Sequence, residues 1–166
     1  MEHGRINHWR AMVAALMLAL VVVFGSAAPV LAAEKAAKNI TLTVGESVMQ
    51  VDDKEVSIAD GVPEINGNRV YIPLRAVTEA FGAEVNYDSA SGDITITNDD
   101  YNVVMNTMAS VYTVNGTLKW MDMAPFVNAD SRTMVPVRFV SDGLGYVIDV
   151  NGEGTGAVVT ISRNDA

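Results

Sequence analysis

RVYIPLRAVTEAFGAEV, at residues 69–85, returns at residues 132–148 as RTMVPVRFVSDGLGYVI, with a constant offset of 63 positions. In each stretch a short apolar run meets a proline, an arginine follows two positions later, and a glycine precedes another apolar run. Such a recurrence in register indicates that one structural pattern is used twice.

The spacing of apolar residues within each stretch predicts a short strand followed by a short helix. Pro73 and Pro136 suit the first helical position, where a missing N–H is not needed. In the first copy the apolar residues then recur at spacings of three and four, at Leu74, Val77, Ala80 and Phe81. Gly82 and Gly145 predict left-handed helix ends. A helix of about nine residues does not persist alone in water, so we expect a sheet to hold it.

Alternating residues around a two-residue turn predict a β-hairpin in each copy. In the first copy, a turn at Asp52-Asp53 sets Val51 opposite Lys54 and gives a core face of Met49, Val51, Val56 and Ile58. In the second copy, a turn at Asn115-Gly116 sets Val111 opposite Trp120. The faces that point away from the core are then Val48, Gln50, Glu55 and Ser57 in the first hairpin, and Val111, Thr113, Leu118 and Trp120 in the second.

The second hairpin therefore carries an apolar outer face where the first is largely polar, and such a patch implies that something covers it. One alternative is that Val111, Leu118 and Trp120 form a packing surface, covered by the other repeat or by the linker. The other is a binding surface for a partner protein or a glycan, centred on Trp120, because aromatic rings supply a large flat contact area.

The N-terminus has the pattern of a signal peptide. Arg5 and Arg10 precede an apolar run of fourteen residues, 11–24, which is shorter than the roughly 20 residues that span a bilayer. Small residues upstream favour cleavage after Ala32, with Ala33 as the second choice and a retained anchor as the alternative. We expect a secreted or cell-wall-associated protein with no membrane segment after cleavage.

Removal of residues 1–32 would leave a linker at 33–39, repeat 1 at 40–98 and repeat 2 at 99–164. A unit of about 60 residues buries little surface alone, so we expect the repeats to pack as one globule. The predicted fold class is α+β, with duplicated small antiparallel β-sheet units, each wrapped around one short helix.

The charged and reactive residues exclude several functions. The whole chain has a net charge of −9, and such an acidic surface disfavours nucleic acid. Both histidines, His3 and His8, lie in the predicted signal peptide, and there is no cysteine. Acidic residues fall at predicted turns and helix exteriors, without the spacing of a calcium loop at residues 98–102. We therefore expect no catalytic site, no metal site, no cofactor and no enzyme activity, although a weak calcium site stays open.

Two arginines occupy unfavourable positions in the first turns of the predicted helices, where the helix dipole disfavours a cation. An acidic residue follows each arginine by four positions. We therefore predict two structural ion pairs, Arg75 with Glu79 and Arg138 with Asp142, with anion binding by the arginines as the alternative.

PLRAVTEAFGAEVNYD at 73–88, its echo PVRFVSDGLGYVIDVN at 136–151, and the VNG turn at 114–116 resemble the copper amine oxidase N-terminal (stalk) domain family, over about residues 40–163. The resemblance implies two copies of the stalk module without the oxidase catalytic domain, a module typical of exported proteins of Gram-positive bacteria. It also implies a twisted antiparallel sheet around a helix and a non-catalytic accessory role. Asn86-Tyr87-Asp88 matches the oxidase motif whose tyrosine becomes a quinone, but that chemistry needs copper held by histidines.

These observations predict a secreted, non-catalytic stalk or interaction module that acts at the bacterial cell surface. The alternative is a carbohydrate-binding module for cell-wall polysaccharide. The expected partner is a cell-envelope protein or glycan, whose identity the sequence leaves open.

Overall fold

The computed structural model describes residues 36–164, which fall within one compact unit, Lys35–Ala166. The predicted signal peptide and both histidines lie outside the described residues. Neither helix within residues 36–164 is long and apolar enough to span a membrane.

The described chain is built of short strands and two short helices. The first half contains β1 (Asn39–Thr43), β2 (Val48–Val51), β3 (Lys54–Ser57), β4 (Glu64–Asn66), β5 (Arg69–Pro73), α1 (Leu74–Ala80), β6 (Glu84–Asp88) and β7 (Asp93–Thr97). The second half contains β8 (Asn102–Asn106), β9 (Val111–Val114), β10 (Thr117–Trp120), β11 (Phe126–Val127), β12 (Thr133–Pro136), α2 (Val137–Leu144), β13 (Val147–Asn151) and β14 (Val158–Ser162). Each half thus presents the same order of elements.

The strands form three antiparallel sheets, as expected for an α+β protein dominated by antiparallel strands. The first sheet has the order β13-β14-β1-β2-β3, the second has the order β10-β9-β8-β7-β6, and a smaller third sheet has the order β11-β12-β5-β4. Each sheet takes strands from both halves of the chain. The prediction of a separate sheet wrapped around a helix in each copy is therefore not confirmed.

Pairing between the halves explains why the sheets are shared. β1 pairs with β14 over five positions, from Asn39 opposite Ser162 to Thr43 opposite Val158. β7 pairs in the same way with β8, and β5 pairs with β12. A single core cluster then draws buried side chains from both halves, including Ile40, Phe81, Tyr112 and Phe139. Sharing the sheets lets one core replace two very small ones, which would bury less surface per residue.

The helices follow the predicted apolar spacing, but each begins one residue later than expected. Leu74, Val77 and Phe81 are buried against the core. Pro73 and Pro136 end strands and sit just before the helices, with φ of −70° and −56°. Proline fits there for the same reason that it fits a first turn, since its φ is fixed near −65°.

The hairpin registers agree with the sequence prediction. Val51 pairs with Lys54 in the first hairpin, and Val111 pairs with Trp120 in the second. Asp52 and Asn115, the first turn residues, have left-handed φ values of 50° and 49°. Aspartate and asparagine tolerate that region better than most side chains.

The end of the linker predicted at residues 33–39 packs against the core. Ala37 is buried, and its N–H donates to the carbonyl oxygen of Ala80 at 2.8 Å. Strand β1 begins at Asn39. The end of α1 has unpaired carbonyl groups that need donors, and the chain before β1 supplies one.

Candidate functional site

The first candidate site is the outer face of the second sheet, here called the Trp120 face and formed by Val104, Val111, Thr113, Leu118 and Trp120. Trp120 is 74% exposed and Leu118 is 59% exposed. Leu118 lies opposite Thr113 and Thr113 opposite Val104, while Trp120 lies opposite Val111. These side chains therefore lie on one face of the sheet across three strands.

The inner side of the same hairpin is firmly anchored to α2. Tyr112 is buried, and its ring meets that of Phe139 edge to face, with centroids 5.1 Å apart. Lys119 donates from Nζ to the carbonyl oxygen of Asp142 at 2.7 Å. The inner face of the β9–β10 hairpin therefore packs on α2. These contacts hold the backbone of edge strand β10 in place, while the outer side chains of the strand face away from α2.

Of the two alternatives for Val111, Leu118 and Trp120, the inter-repeat surface is not what the structure shows. Although the two halves share sheets, they meet through strand pairing and the inner faces. Leu118 and Trp120 remain exposed on the opposite side.

The second candidate site is a cleft of about 740 Å³ beside α1, here called the α1 cleft. Its apolar wall comes from Leu74, Ala76, Val85, Ile94 and Val127. Its polar groups are Ser57, Asp60, Arg75, Glu79, Tyr87, Ser131, Arg132 and Thr133. The volume falls within the roughly 300–1,000 Å³ of small-molecule sites.

Arg75 lies beside the cleft and contacts two partners through one nitrogen. Its Nη1 is 3.1 Å from Oε1 of Glu79 and donates to the carbonyl oxygen of Val85 at 3.0 Å. Arg75 therefore ties the first turn of α1 to β6. These bonds give the cation partners where the helix dipole would otherwise disfavour it.

Arg138 does not repeat this arrangement. Its Nη1 lies 3.7 Å from Oδ2 of Asp122, and Asp142 is not its ionic partner. Asp122 also accepts from Nε of Arg69 at 2.6 Å. The carboxylate of Asp122 thus lies between the guanidinium groups of Arg69 and Arg138. Residue spacing within one helix could not predict this partner of Arg138, because Asp122 lies outside α2.

Two ion pairs that the sequence analysis missed join the halves reciprocally. Arg69 of the first half contacts Asp122 of the second, and Arg132 of the second contacts Asp60 of the first. Arg132 donates from Nε to Oδ2 of Asp60 at 2.7 Å. The sequence does contain a signal for these ion pairs, which is the recurrence of arginine at positions 69 and 132. Equivalent residues of two repeats are expected to lie in equivalent environments.

These pairs change the acidity of their carboxyl groups. The hydrogen bond from Arg69 lowers the pKa of Asp122 below its ordinary value, and the charges of Arg69 and Arg138 act in the same direction. The hydrogen bond from Arg132 likewise lowers the pKa of Asp60. Both carboxylates are therefore ionised at neutral pH, as an ion pair requires.

The tripeptide Asn86-Tyr87-Asp88 does not provide a copper site. Tyr87 is 42% exposed near the end of β6, and the carboxylate of Asp88 accepts from the N–H of Ala90 at 2.9 Å. Residues 36–164 contain no histidine or cysteine, and no group of three or more acidic side chains among them could hold a metal ion. The ligand chemistry that copper prefers is therefore missing from this part of the chain.

The acidic stretch at residues 98–102 is organised as a turn. Oδ1 of Asn98 accepts from the N–H of Asp100 at 2.9 Å and from the N–H of Tyr101 at 2.8 Å. An asparagine side chain that bonds backbone two residues on is a common turn device. Asn98 thereby uses the oxygen that a calcium loop would need as a ligand.

Comparison with known proteins gives one family. The profile of the copper amine oxidase N-terminal domain matches residues 50–159. The search of curated proteins gave no match. The matched region covers both helices and spans most of the described strands, so this chain belongs to the copper amine oxidase N-terminal domain family, a family of non-catalytic stalk-type domains.

Proposed function

We propose that this protein is a secreted stalk-type interaction module, built from two copies of one unit, that binds a partner at the bacterial cell surface through the Trp120 face. The observation that carries the proposal is the exposure of Trp120 and Leu118 on a strand whose inner side is anchored to α2. An apolar surface on a fixed backbone loses little conformational entropy when it binds, which favours recognition.

The composition of the face supports a protein partner. Its most exposed apolar side chain is tryptophan, one of the residue types enriched among those that dominate binding energy at interfaces. Val111 and Val104 extend the apolar area beside it, and none of these side chains is charged. Recognition through this surface therefore depends on apolar burial and shape.

A cell-wall polysaccharide is the second candidate partner, and the register of the second sheet favours it. From Leu118 the row across the sheet continues through Thr113, Val104, Thr95 and Asn86. Hydroxyl and amide groups that continue across the sheet from the apolar side chains of Trp120 and Leu118 suit a sugar chain, which has apolar ring faces and many hydroxyl groups.

Binding to cell walls tests the proposal and separates the two partners. The full-length protein is mixed with purified cell walls and with walls stripped of protein, and the bound fraction is measured. Retention by intact walls alone indicates a protein partner, whereas retention by both indicates polysaccharide. Failure of both kinds of wall to retain the protein contradicts the proposal.

Trp120→Ala assigns the binding to the proposed face. We expect this variant to lose wall retention while its free energy of unfolding changes by no more than about 0.5 kcal/mol, as for other exposed positions. Val48→Ala is the matched control, because Val48 is exposed on the outer face of the first hairpin, opposite the position equivalent to Trp120, and this variant should bind normally. Normal retention of Trp120→Ala would exclude the face.

Export is tested separately by mass spectrometry of the protein recovered from its host. The proposal expects a mature N-terminus at Ala33, in accordance with the small residues before it. A chain that retains residues 1–32 would contradict release by cleavage.

A further inference from the structure

We propose that the α1 cleft is a separate binding site for a neutral saccharide of a few sugar units. The cleft lies between α1, the end of β3, strand β6 and the residues that lead into β12. The Trp120 face lies at the opposite edge strand of the second sheet, since β6 and β10 bound that sheet. The inference does not depend on the function proposed for the Trp120 face.

The cleft exists because the first half lacks side chains that fill the equivalent place in the second half. With the offset of 63, Ala76 corresponds to Phe139, which is buried against Tyr112. Val56 corresponds to Lys119, which reaches across to the carbonyl oxygen of Asp142. The smaller residues at 56 and 76 neither fill nor bridge the space beside α1.

The ionic groups around the cleft are balanced in charge. Arg75 pairs with Glu79, and Arg132 pairs with Asp60. All four side chains are close to half exposed, so their remaining donors and acceptors can face a ligand. A cleft with two cations and two anions, each already paired, selects strongly for neither sign of charge and is best matched by an uncharged polar ligand.

The chemistry of the lining favours a saccharide among uncharged ligands. Guanidinium groups donate in a planar fork and carboxylates accept at two oxygens, an arrangement that suits neighbouring hydroxyl groups on a sugar ring. Ser57, Ser131 and Thr133 add hydroxyl groups. The partly exposed ring of Tyr87 and the apolar wall can cover the C–H face of the ring.

Tyr87 distinguishes this cleft from the equivalent place in the second half, where Val150 occupies the corresponding position. The half that lacks the bulky phenylalanine thus also carries the exposed aromatic ring. Together, the open volume, the aromatic ring and the balanced charges meet the requirements of a small polar ligand that is oriented by a few polar groups over an apolar wall.

Calorimetric titration of the full-length protein with cellotriose, maltotriose and triacetylchitotriose tests the inference. We expect at least one of these neutral trisaccharides to bind. Tyr87→Ala should raise its dissociation constant about fivefold to tenfold, the effect of losing one aromatic contact. Tyr87→Phe keeps the ring and should bind as the parent protein does.

Ala76→Phe copies the residue of the second half and should abolish binding by filling the cleft. Its melting temperature is measured in parallel, and Tyr87→Ala keeps the test valid if Ala76→Phe fails to fold. Trp120→Ala should leave trisaccharide binding unchanged, which distinguishes failure of this inference from failure of the proposed wall-binding face.

Salt dependence completes the test, because a neutral ligand releases no counterions. The dissociation constant should stay constant within about twofold as the salt concentration is raised from about 0.05 to about 0.5 M. Absence of binding by all three sugars, equal binding by Tyr87→Ala, or a steep salt dependence would each overturn the inference.

Discussion

The β2–β3 and β9–β10 hairpins share one backbone and differ in what they display. Both have the same register and a left-handed first turn residue. On the outer face of the first, Nε2 of Gln50 donates to Oε1 of Glu55 at 3.0 Å. The equivalent pair in the second is Thr113 with Leu118. The comparison teaches that turns and inner faces fix the hairpin, while the outer face is free to acquire another role.

The two helices differ in the sizes of their side chains at two equivalent positions, and the two differences compensate each other. Phe139 and Gly143 of α2 correspond to Ala76 and Ala80 of α1. A Cβ added at Gly143 would lie 2.5 Å from the ring of Phe139. The second half therefore combines one large and one minimal side chain where the first half uses two small ones, and the α1 cleft is the space that remains.

The largest expected effect on stability comes from Phe139→Ala, which gives α2 the residue that α1 carries at the equivalent position, Ala76. Loss of a fully buried phenylalanine should lower the free energy of unfolding by about 3–5 kcal/mol, because the removed contacts leave a cavity. Urea denaturation measures the change. Ala76→Gly is the control in α1 and should cost about 1 kcal/mol from helix propensity. Equal losses for the two variants would show that Phe139 has no special packing role.

The two hairpin turns provide a test of intermediate size. Oδ1 of Asp52 accepts from the N–H of Asn39 at 2.9 Å, and Oδ1 of Asn115 accepts from the N–H of Asn102 at 2.8 Å. Asp52→Ala and Asn115→Ala should each lower the free energy of unfolding by about 1–3 kcal/mol, since alanine loses the bond and is strained at positive φ.

Asp52→Asn is the matched control for the turns because it copies the residue at 115. Its stability should stay within about 0.5 kcal/mol of the parent protein, as thermal and urea unfolding would show. A loss as large as that of Asp52→Ala would mean that the charge, rather than the turn conformation, stabilises the first hairpin.

The smallest expected effect concerns the reciprocal ion pairs. Asp122→Asn should lower the free energy of unfolding by no more than about 1 kcal/mol at neutral pH, because partly exposed pairs are screened by water. The lowered pKa of Asp122 means that its contribution is present above the ordinary value of 3.8 and is lost as the pH falls through the folded-state value.

The stability of Asp122→Asn should therefore approach that of the parent protein as the solution is acidified below about pH 4. Melting temperatures between pH 3 and pH 7 measure this convergence. A difference that stayed constant over the whole range would assign the effect of the substitution to packing instead of charge.

The local features of the fold were predictable from the sequence. Alternation around Asp52-Asp53 and Asn115-Gly116 gave both hairpin registers, because a two-residue turn leaves one way to pair the flanking residues. The apolar spacing at Leu74, Val77 and Phe81 identified the buried face of α1. These signals act over a few residues, where geometry leaves few alternatives.

The partners that come from distant parts of the chain were not predictable in the same way. Nothing local specifies that β1 pairs with β14, or that β7 and β8 continue one sheet. The same limit applies to charges. Glu79 lies one helical turn from Arg75 and was identified, whereas Asp122 is distant in sequence from Arg69 and was missed. The α1 cleft also depends on residues that only tertiary packing brings together.

The pairing of β1 with β14 has a consequence for the order of folding. Strand β1 has a local neighbour in β2, but the partner on its other side, β14, is more than a hundred residues further along the chain. Closing so long a loop is slow compared with forming a local hairpin. During synthesis β1 must therefore keep one edge unpaired until β14 has been made, and a chaperone would have that interval in which to bind the exposed edge.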